Sequence, residues 1–151
     1  MFNTCLRDVL IHFDGTETNL KTKVLILLVA RNPNSWLKML HEEHGGNDEI
    51  VTIGLMHRDI STSIHGQYNY GIMGLSFRPG DACVVSTFRL KRKDDLWKVT
   101  IHEFLHSRGL PHCKKNAPKC LMQDAHGKNT FYMKHGLCED CKNSLGMIMT
   151  H

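Results

Sequence analysis

Apolar residues recur along this chain in two rhythms, one belonging to strands and one to helices. Val24 to Ala30 is a continuous apolar run of β-branched and leucine side chains, the pattern of a central strand covered on both faces. A helix is expected next: Asn32 can cap it, Pro33 suits its first turn, Trp36, Leu37 and Leu40 form its stripe, and Gly45-Gly46 stop it. Ile50 to Leu55 predicts a second buried strand. The polar stretch from His57 to Asn69 reads as a loop. Tyr70 to Phe77 and Ala82 to Arg89 read as two short strands joined by Arg78-Pro79-Gly80-Asp81, whose Pro-Gly pair favours a tight turn. A further helix starts at Asp94 or Asp95, either able to accept bonds from first-turn amides, with Trp97, Ile101, Phe104 and Leu105 on the face to be buried. Past His112, scattered Gly, Asn and Lys predict loop. The order gives an α+β fold of α/β-like character around a mixed, twisted sheet with at least one antiparallel pair.

Composition narrows the class. A chain of 151 residues is one domain, able to bury about two-thirds of its unfolded surface, and it has no internal repeats or low-complexity tracts. The net charge of +4 is modest, and apart from Arg89, Lys91, Arg92 and Lys93 the basic residues are interspersed with acidic ones. That short run reads as a solvated lead-in to the second helix rather than a nucleic-acid surface. Asp8, His12 and Asp14 interrupt the apolar residues of Met1 to Gly15, so no signal peptide is expected and the chain reads as cytoplasmic. The seven-residue run Val24 to Ala30 is far short of the roughly 20 residues of a membrane-crossing helix.

The second helix carries the chemistry. His102-Glu103-Phe104-Leu105-His106-Ser107-Arg108-Gly109-Leu110-Pro111-His112 reads HExxHxxGxxH. His102 and His106, one helical turn apart, can point at the same ion, while Glu103, rotated by about 100°, reaches a water on that ion. Gly109, lacking a Cβ, can end the helix in a left-handed conformation and bring His112 back as third ligand. Three protein ligands leave a fourth position open, which separates a catalytic zinc site from a structural one. The expected chemistry is hydrolysis, with Glu103 as general base.

Four cysteines follow. Cys138-Glu139-Asp140-Cys141 is a Cys-x-x-Cys knuckle, and with Cys113 and Cys120 it could complete a tetrahedral four-thiolate zinc site; a disulfide or redox pair at Cys138 and Cys141 is the alternative. Cys83, within Ala82-Cys83-Val84-Val85, is expected to be a buried small hydrophobe.

With His112-Cys113, Cys120-Leu121-Met122 and Cys138 to Cys141 in this order, the chain resembles the archaemetzincins, a branch of the metzincin zinc peptidases. The resemblance covers about residues 50 to 141 and includes Tyr70-Gly71-Ile72-Met73-Gly74-Leu75 and Val84 to Leu90 upstream of the helix. It implies a single metzincin-type domain: residues 1–49 as an atypical N-terminal part, 50–112 as sheet and active-site helix, and 113–151 as a zinc-bound C-terminal subdomain. It implies two Zn2+ ions, a catalytic one on His102, His106 and His112 and a structural one on Cys113, Cys120, Cys138 and Cys141. Met122 would be the methionine of the turn beneath the metal. Gly71, Ile72, Met73, Gly74 and Leu75 would form the sheet edge along which an extended peptide docks.

Two departures from the family pattern stand out. Six residues separate Cys113 from Cys120 where the family has four, and fifteen separate Met122 from Cys138 where it has seventeen, which shifts the loops of the cysteine site. Only 23 residues precede the Val24 run, so the family's opening strand and helix are expected to be shortened, missing or distorted, with Met1 to Phe13 as the candidate to replace part of them. The implied activity is a zinc metallopeptidase acting on peptide or protein as a monomer, without nucleic-acid or membrane partners. The alternative is a catalytically weak, zinc-stabilised peptide-binding module. Tyr132, His126 and His135 are the candidates for an oxyanion partner.

Overall fold

The computed structural model describes residues 6–13, 16–26, 33–44, 50–64 and 66–150, the first two segments by their backbone alone. Outside the described residues lie Cys5, the last four residues of the Val24 to Ala30 run, the proposed cap Asn32 and the stop Gly45-Gly46.

Strand β1 (Leu6–Phe13) pairs antiparallel with β2 (Thr16–Ile26), which runs parallel to β3 (Ile50–Met56). Helix α1 (Pro33–His44) lies between β2 and β3 in the chain, where a parallel pair needs a long crossover. A separate hairpin, β4 (Ile60–Ile64) and β5 (Gln67–Ile72), precedes β6 (Gly74–Ser76) and β7 (Ala82–Ser86). β7 lies parallel to β3, and β6 closes the sheet as an antiparallel edge, giving the order β1-β2-β3-β7-β6.

Strand alternation assigns the two faces. Val51, Ile53, Cys83 and Val85 pack with Val99 and Leu105 of helix α2 (Asp95–Ser107) on one side. Met56, Ala82 and Val84 meet Leu37 and Leu40 of α1 on the other. β7, buried along its whole length, is the centre of this helix–sheet–helix sandwich. Cys83 is the buried hydrophobe its setting predicts.

Several expectations are corrected. The stretch His57 to Asn69 is not a plain loop, because β4 and the start of β5 lie in it; Ile-Ser-Thr-Ser-Ile has the short, β-branched side chains of a strand, and Gly66, at φ +77°, turns it. Tyr70 to Phe77 is two strands in two sheets, because the chain changes partners at Met73, whose carbonyl accepts the Ser86 N–H at 2.8 Å. Asp94 has a helical backbone and makes no capping bond. Trp97 is 49% exposed. Phe104 and Leu105 are buried as expected, but Asp95, Lys98, Val99, His102, Glu103 and His106 of α2 are buried as well, so polar side chains share the interior with the apolar ones. At its head the buried Lys98 meets Asp95 at 3.4 Å and donates to the Phe131 carbonyl at 2.9 Å.

The tail is not all loop. A single 3-10 turn (Phe131–Met133) leads to helix α3 (Glu139–Met149), where Cys141, Leu145 and Ile148 face the core at helical spacing.

Candidate metal centres

The end of α2 is a Schellman motif. Gly109 sits at φ +96°, its N–H bonds the His106 carbonyl at 2.9 Å, and the Leu110 N–H bonds the Leu105 carbonyl at 3.0 Å. Leu105 and Leu110 are both fully buried and pack in the same cluster. This termination turns the Leu110 carbonyl toward the helix, where His106 Nδ1 meets it at 2.7 Å. His102 Nδ1 is held in the same way by the Leu121 carbonyl at 2.7 Å.

A carbonyl oxygen only accepts, so both Nδ1 atoms carry the proton and both Nε2 atoms carry lone pairs. Those two Nε2 atoms lie 3.1 Å apart. Burial, reinforced by His106, holds His102 well below its ordinary pKa; burial likewise brings His106 down to about 4 and lowers His112. Two neutral, lone-pair nitrogens at that distance cannot bond to each other. They repel unless a cation lies between them, and a tetrahedral zinc with bonds of about 2.0–2.1 Å spaces its nitrogen donors by about 3.3 Å. His112 completes the group, its ring 4.6 Å from that of His106, and one donor nitrogen from each of the three lies within 4.8 Å of the others. The donor set therefore fits zinc.

Glu103 lies on the adjacent face of α2. Its carboxylate accepts Ser76 Oγ at 2.5 Å, and the same hydroxyl reaches the Glu103 backbone carbonyl at 2.8 Å. Burial pushes Glu103 up to about 7, against the Ser76 bond and the positive Lys134. Gly74, two residues before Ser76 on the same strand face, leaves the space that Glu103 fills: a Cβ there would collide with Glu103 Cγ and lie 2.6 Å from Oε1.

Cys113, Cys120, Cys138 and Cys141 converge below this group, with Sγ pairs 113–138 and 120–141 each at 3.7 Å. A tetrahedral zinc with bonds of about 2.3 Å sets sulfurs about 3.8 Å apart. None of the five described cysteines forms a disulfide, so the disulfide alternative at Cys138 and Cys141 is not adopted. Burial and the neighbouring thiols raise Cys141, and burial raises Cys113; Cys138 is also opposed by burial, yet hydrogen bonds from Cys141, Cys113 and Cys120 bring it down. One thiolate is stabilised at the expense of the others, so ionising all four calls for a cation. The two clusters are joined covalently, because His112 and Cys113 are consecutive. The longer 114–119 spacing is carried by a mostly exposed loop, which leaves all four sulfurs convergent.

Met122 is completely buried, and its carbonyl accepts the Cys113 N–H at 2.8 Å. Lys134 was not singled out by sequence, where it is a lone cation in a loop. Its side chain is fully buried, and burial lowers it to about 8 against the influence of Cys120, Asp124 and Glu103. Ser76 was also missed, although its place two residues from Gly74 was a usable signal.

The histidines and Glu103 open onto a cleft of about 620 Å³. All five residues Gly71, Ile72, Met73, Gly74 and Leu75 line it, but only Gly74 and Leu75 belong to the sheet edge; Gly71 and Ile72 are in the β4–β5 hairpin, which corrects the single edge strand expected. His126 lines the cleft, whereas Tyr132 and His135 do not. Tyr70, not anticipated, does, with its hydroxyl against Gly127. Arg89 of the basic run is held by Asp59 at 2.6 and 2.9 Å.

No family model and no curated protein sequence matches this chain. Solved structures do. The chain is similar to the archaemetzincin of Methanopyrus kandleri, with TM-score 0.65 and 25% identity over 79% of this chain and 66% of that one. It is similar to the archaemetzincin of Archaeoglobus fulgidus complexed with malonate, with TM-score 0.57 and 26% identity over 74% of this chain and 67% of that one. A zinc-dependent peptidase of Methanocorpusculum labreanum shares the fold, with TM-score 0.56 and 18% identity over 74% of this chain and 69% of that one. The chain spans about two-thirds of the length of these proteins.

Proposed function

We propose, from an archaemetzincin-like fold and a zinc-compatible histidine cluster, that this chain is a zinc-dependent metallopeptidase. The observation that carries the reading is the convergence of lone pairs from neutral imidazoles beside a buried carboxylate. His102, His106 and His112 would hold the catalytic zinc, and Cys113, Cys120, Cys138 and Cys141 a structural one. Zinc held by three uncharged imidazoles keeps its full charge and supplies Lewis acidity to water and to a peptide carbonyl.

The remaining work falls to the protein. Glu103, with a pKa of about 7, can take a proton from water and hand it to the leaving nitrogen within one cycle near neutrality. Ser76 fixes which carboxylate oxygen faces the cleft. The β6 edge offers unpaired backbone groups to an extended peptide, and Gly74 keeps that edge against Glu103. Met122, completely buried, would be the methionine of the turn beneath the metal. The cysteine cluster ties residues 113–141 into one unit and so fixes where His112 returns.

The test is hydrolysis of a mixed peptide library by the purified zinc-loaded chain, read by mass spectrometry, with Glu103→Ala at equal zinc content as control. Cleavage lost in the variant supports the peptidase. No cleavage by folded, fully loaded protein would reassign the cleft to a zinc-stabilised peptide-binding module.

A further inference from the structure

Lys134 is a buried ammonium placed between the two clusters. Nζ donates to the carbonyls of Gln123 and, at 3.4 Å, Leu121, and it stands 4.2 Å from the centre of the Phe131 ring. These contacts bracket Met122. The Leu121 carbonyl is the one that accepts His102 Nδ1–H at 2.7 Å, and the Phe131 ring stands edge-on to His102 at 5.6 Å. On its other side the same turn begins at Cys120, whose neighbour Leu121 donates its N–H to the Gly136 carbonyl at 2.8 Å.

Among the described residues no carboxylate lies within ion-pair distance of Nζ. An ammonium in the interior is tolerated only where dipoles and nearby negative charge replace its lost hydration. Here two carbonyls and an aromatic face supply the dipoles, Asp124 and Glu103 lie near enough to favour the charge, and a metal-loaded four-thiolate cluster, of which Cys120 is a member, would add further negative charge. A neutral side chain would fill the space equally well but would not draw the two carbonyls inward.

We propose that Lys134 is a positioning residue: its ammonium holds the turn at residues 121–123 so that the Leu121 carbonyl orients His102, linking the integrity of the cysteine cluster to the aim of the histidine cluster. The inference rests on the histidines being a metal site, but not on what that site hydrolyses. Groups that orient metal-bound imidazoles typically contribute 10–100-fold to metal affinity.

The experiment compares zinc-loaded full-length protein with Lys134→Met. Imidazole-proton NMR follows solvent exchange of the Nδ1–H of His102 and of His106, whose partner Leu110 is outside the Lys134 turn. Chelator competition measures zinc at each site, and thiolate-to-metal absorption of the cobalt-substituted protein reports the cysteine cluster. Expected are exchange at least tenfold faster at His102 with His106 unchanged, a 10–100-fold weaker histidine-site ion, and an unaltered cysteine-site spectrum. Two unchanged imidazole protons would overturn the proposal, as would loss of both together with the thiolate absorption, which marks a residue needed only for folding. Should Lys134→Met not fold, the unaltered protein decides. A slowly exchanging Lys134 ammonium with hydrogen-bond coupling to the Leu121 carbonyl supports the proposal, and a freely exchanging one overturns it. Hydrolysis enters none of these readouts, so failure here is distinct from failure of the peptidase reading.

Discussion

Replacing Gly74 with alanine adds one methyl group where the structure leaves room for none. The new Cβ would fall on Glu103 Cγ and lie 2.6 Å from Oε1 and 2.7 Å from Cδ. Non-bonded carbon contacts settle at about 3.5–4.0 Å, so the carboxylate must retreat by about 1 Å. Gly74 pairs with Val85 in the sheet and is not among the positive-φ residues, so alanine suits the backbone itself and the strain falls on the side chain opposite. A 1 Å retreat pulls Glu103 off the 2.5 Å bond from Ser76. Misplacement on that scale costs about 100-fold in rate, or about 2.7 kcal/mol of transition-state stabilisation. Overpacking of one methyl group costs about 1–3 kcal/mol of stability, partly offset by the lower chain entropy of alanine. The assay is kcat/KM on a peptide cleaved by the unaltered chain, at matched zinc content, with thermal unfolding alongside. Gly146→Ala serves as control, since its Cβ meets nothing within 4 Å. Gly74→Ala retaining activity within about threefold of the parent, fully zinc-loaded, would refute both the placement of Glu103 and its role.

Ser76→Ala removes a bond that favours the ionised carboxylate, so Glu103 should rise above its value of about 7. The acidic limb of the rate profile should move to higher pH with activity recovering there, and an unmoved limb counts against the assignment. Metal analysis should find two zinc ions per chain, with Cys138→Ser losing one and Glu103→Gln losing none; a single ion in the parent would end the two-site description. Acid should unfold the metal-free protein. The folded pKa of His106 is about 4 against about 6.5 unfolded, so the unfolded chain binds the extra proton, and up to about 3 kcal/mol present above pH 6.5 is lost as pH falls to 4. His102 and His112 act in the same sense, while Glu103, raised when folded, acts against them between its unfolded value and about 7. Urea unfolding of the metal-free chain at pH 7 and pH 4.5 should therefore show a lower midpoint at the acid pH, and a larger drop in Glu103→Gln. Equal midpoints at both values would contradict the histidine burial.

Local rules carried far in this sequence because the histidine motif is local: His102, His106, Gly109 and His112 lie within three turns of chain, and helix period plus one left-handed glycine set their arrangement. The continuous apolar strands β3 and β7 were readable for the same reason. What escaped depends on contacts across the fold. On α2 the burial of Phe104 and Leu105 was legible, but that of Asp95 and Lys98 was not, because polar residues face inward only where a site receives them. The break at Met73 follows from two sheets competing for one segment, which no pattern within Tyr70 to Phe77 reveals. Helix α3 was hidden because Cys141, read as a ligand, is also the first member of its apolar stripe. Lys134 left no trace in the sequence, since only the turn it supports explains its burial.

The peptide bond between His112 and Cys113 has a consequence for how the finished molecule is made. Two of the three histidines ride on a helix whose end is set by its own backbone, but the third leaves that helix and is tethered to a thiolate. Thiolates hold scarce zinc more tightly than imidazoles. With zinc in both clusters, as proposed, a newly made chain would fill from the bottom up: the sulfur cluster would capture the first ion, draw the 113–141 segment into shape, and only then present His112 to the pair waiting on α2. Under zinc starvation such a protein would accumulate as a well-formed but half-charged species, and supply of the second ion alone would set how much of it is ready to act.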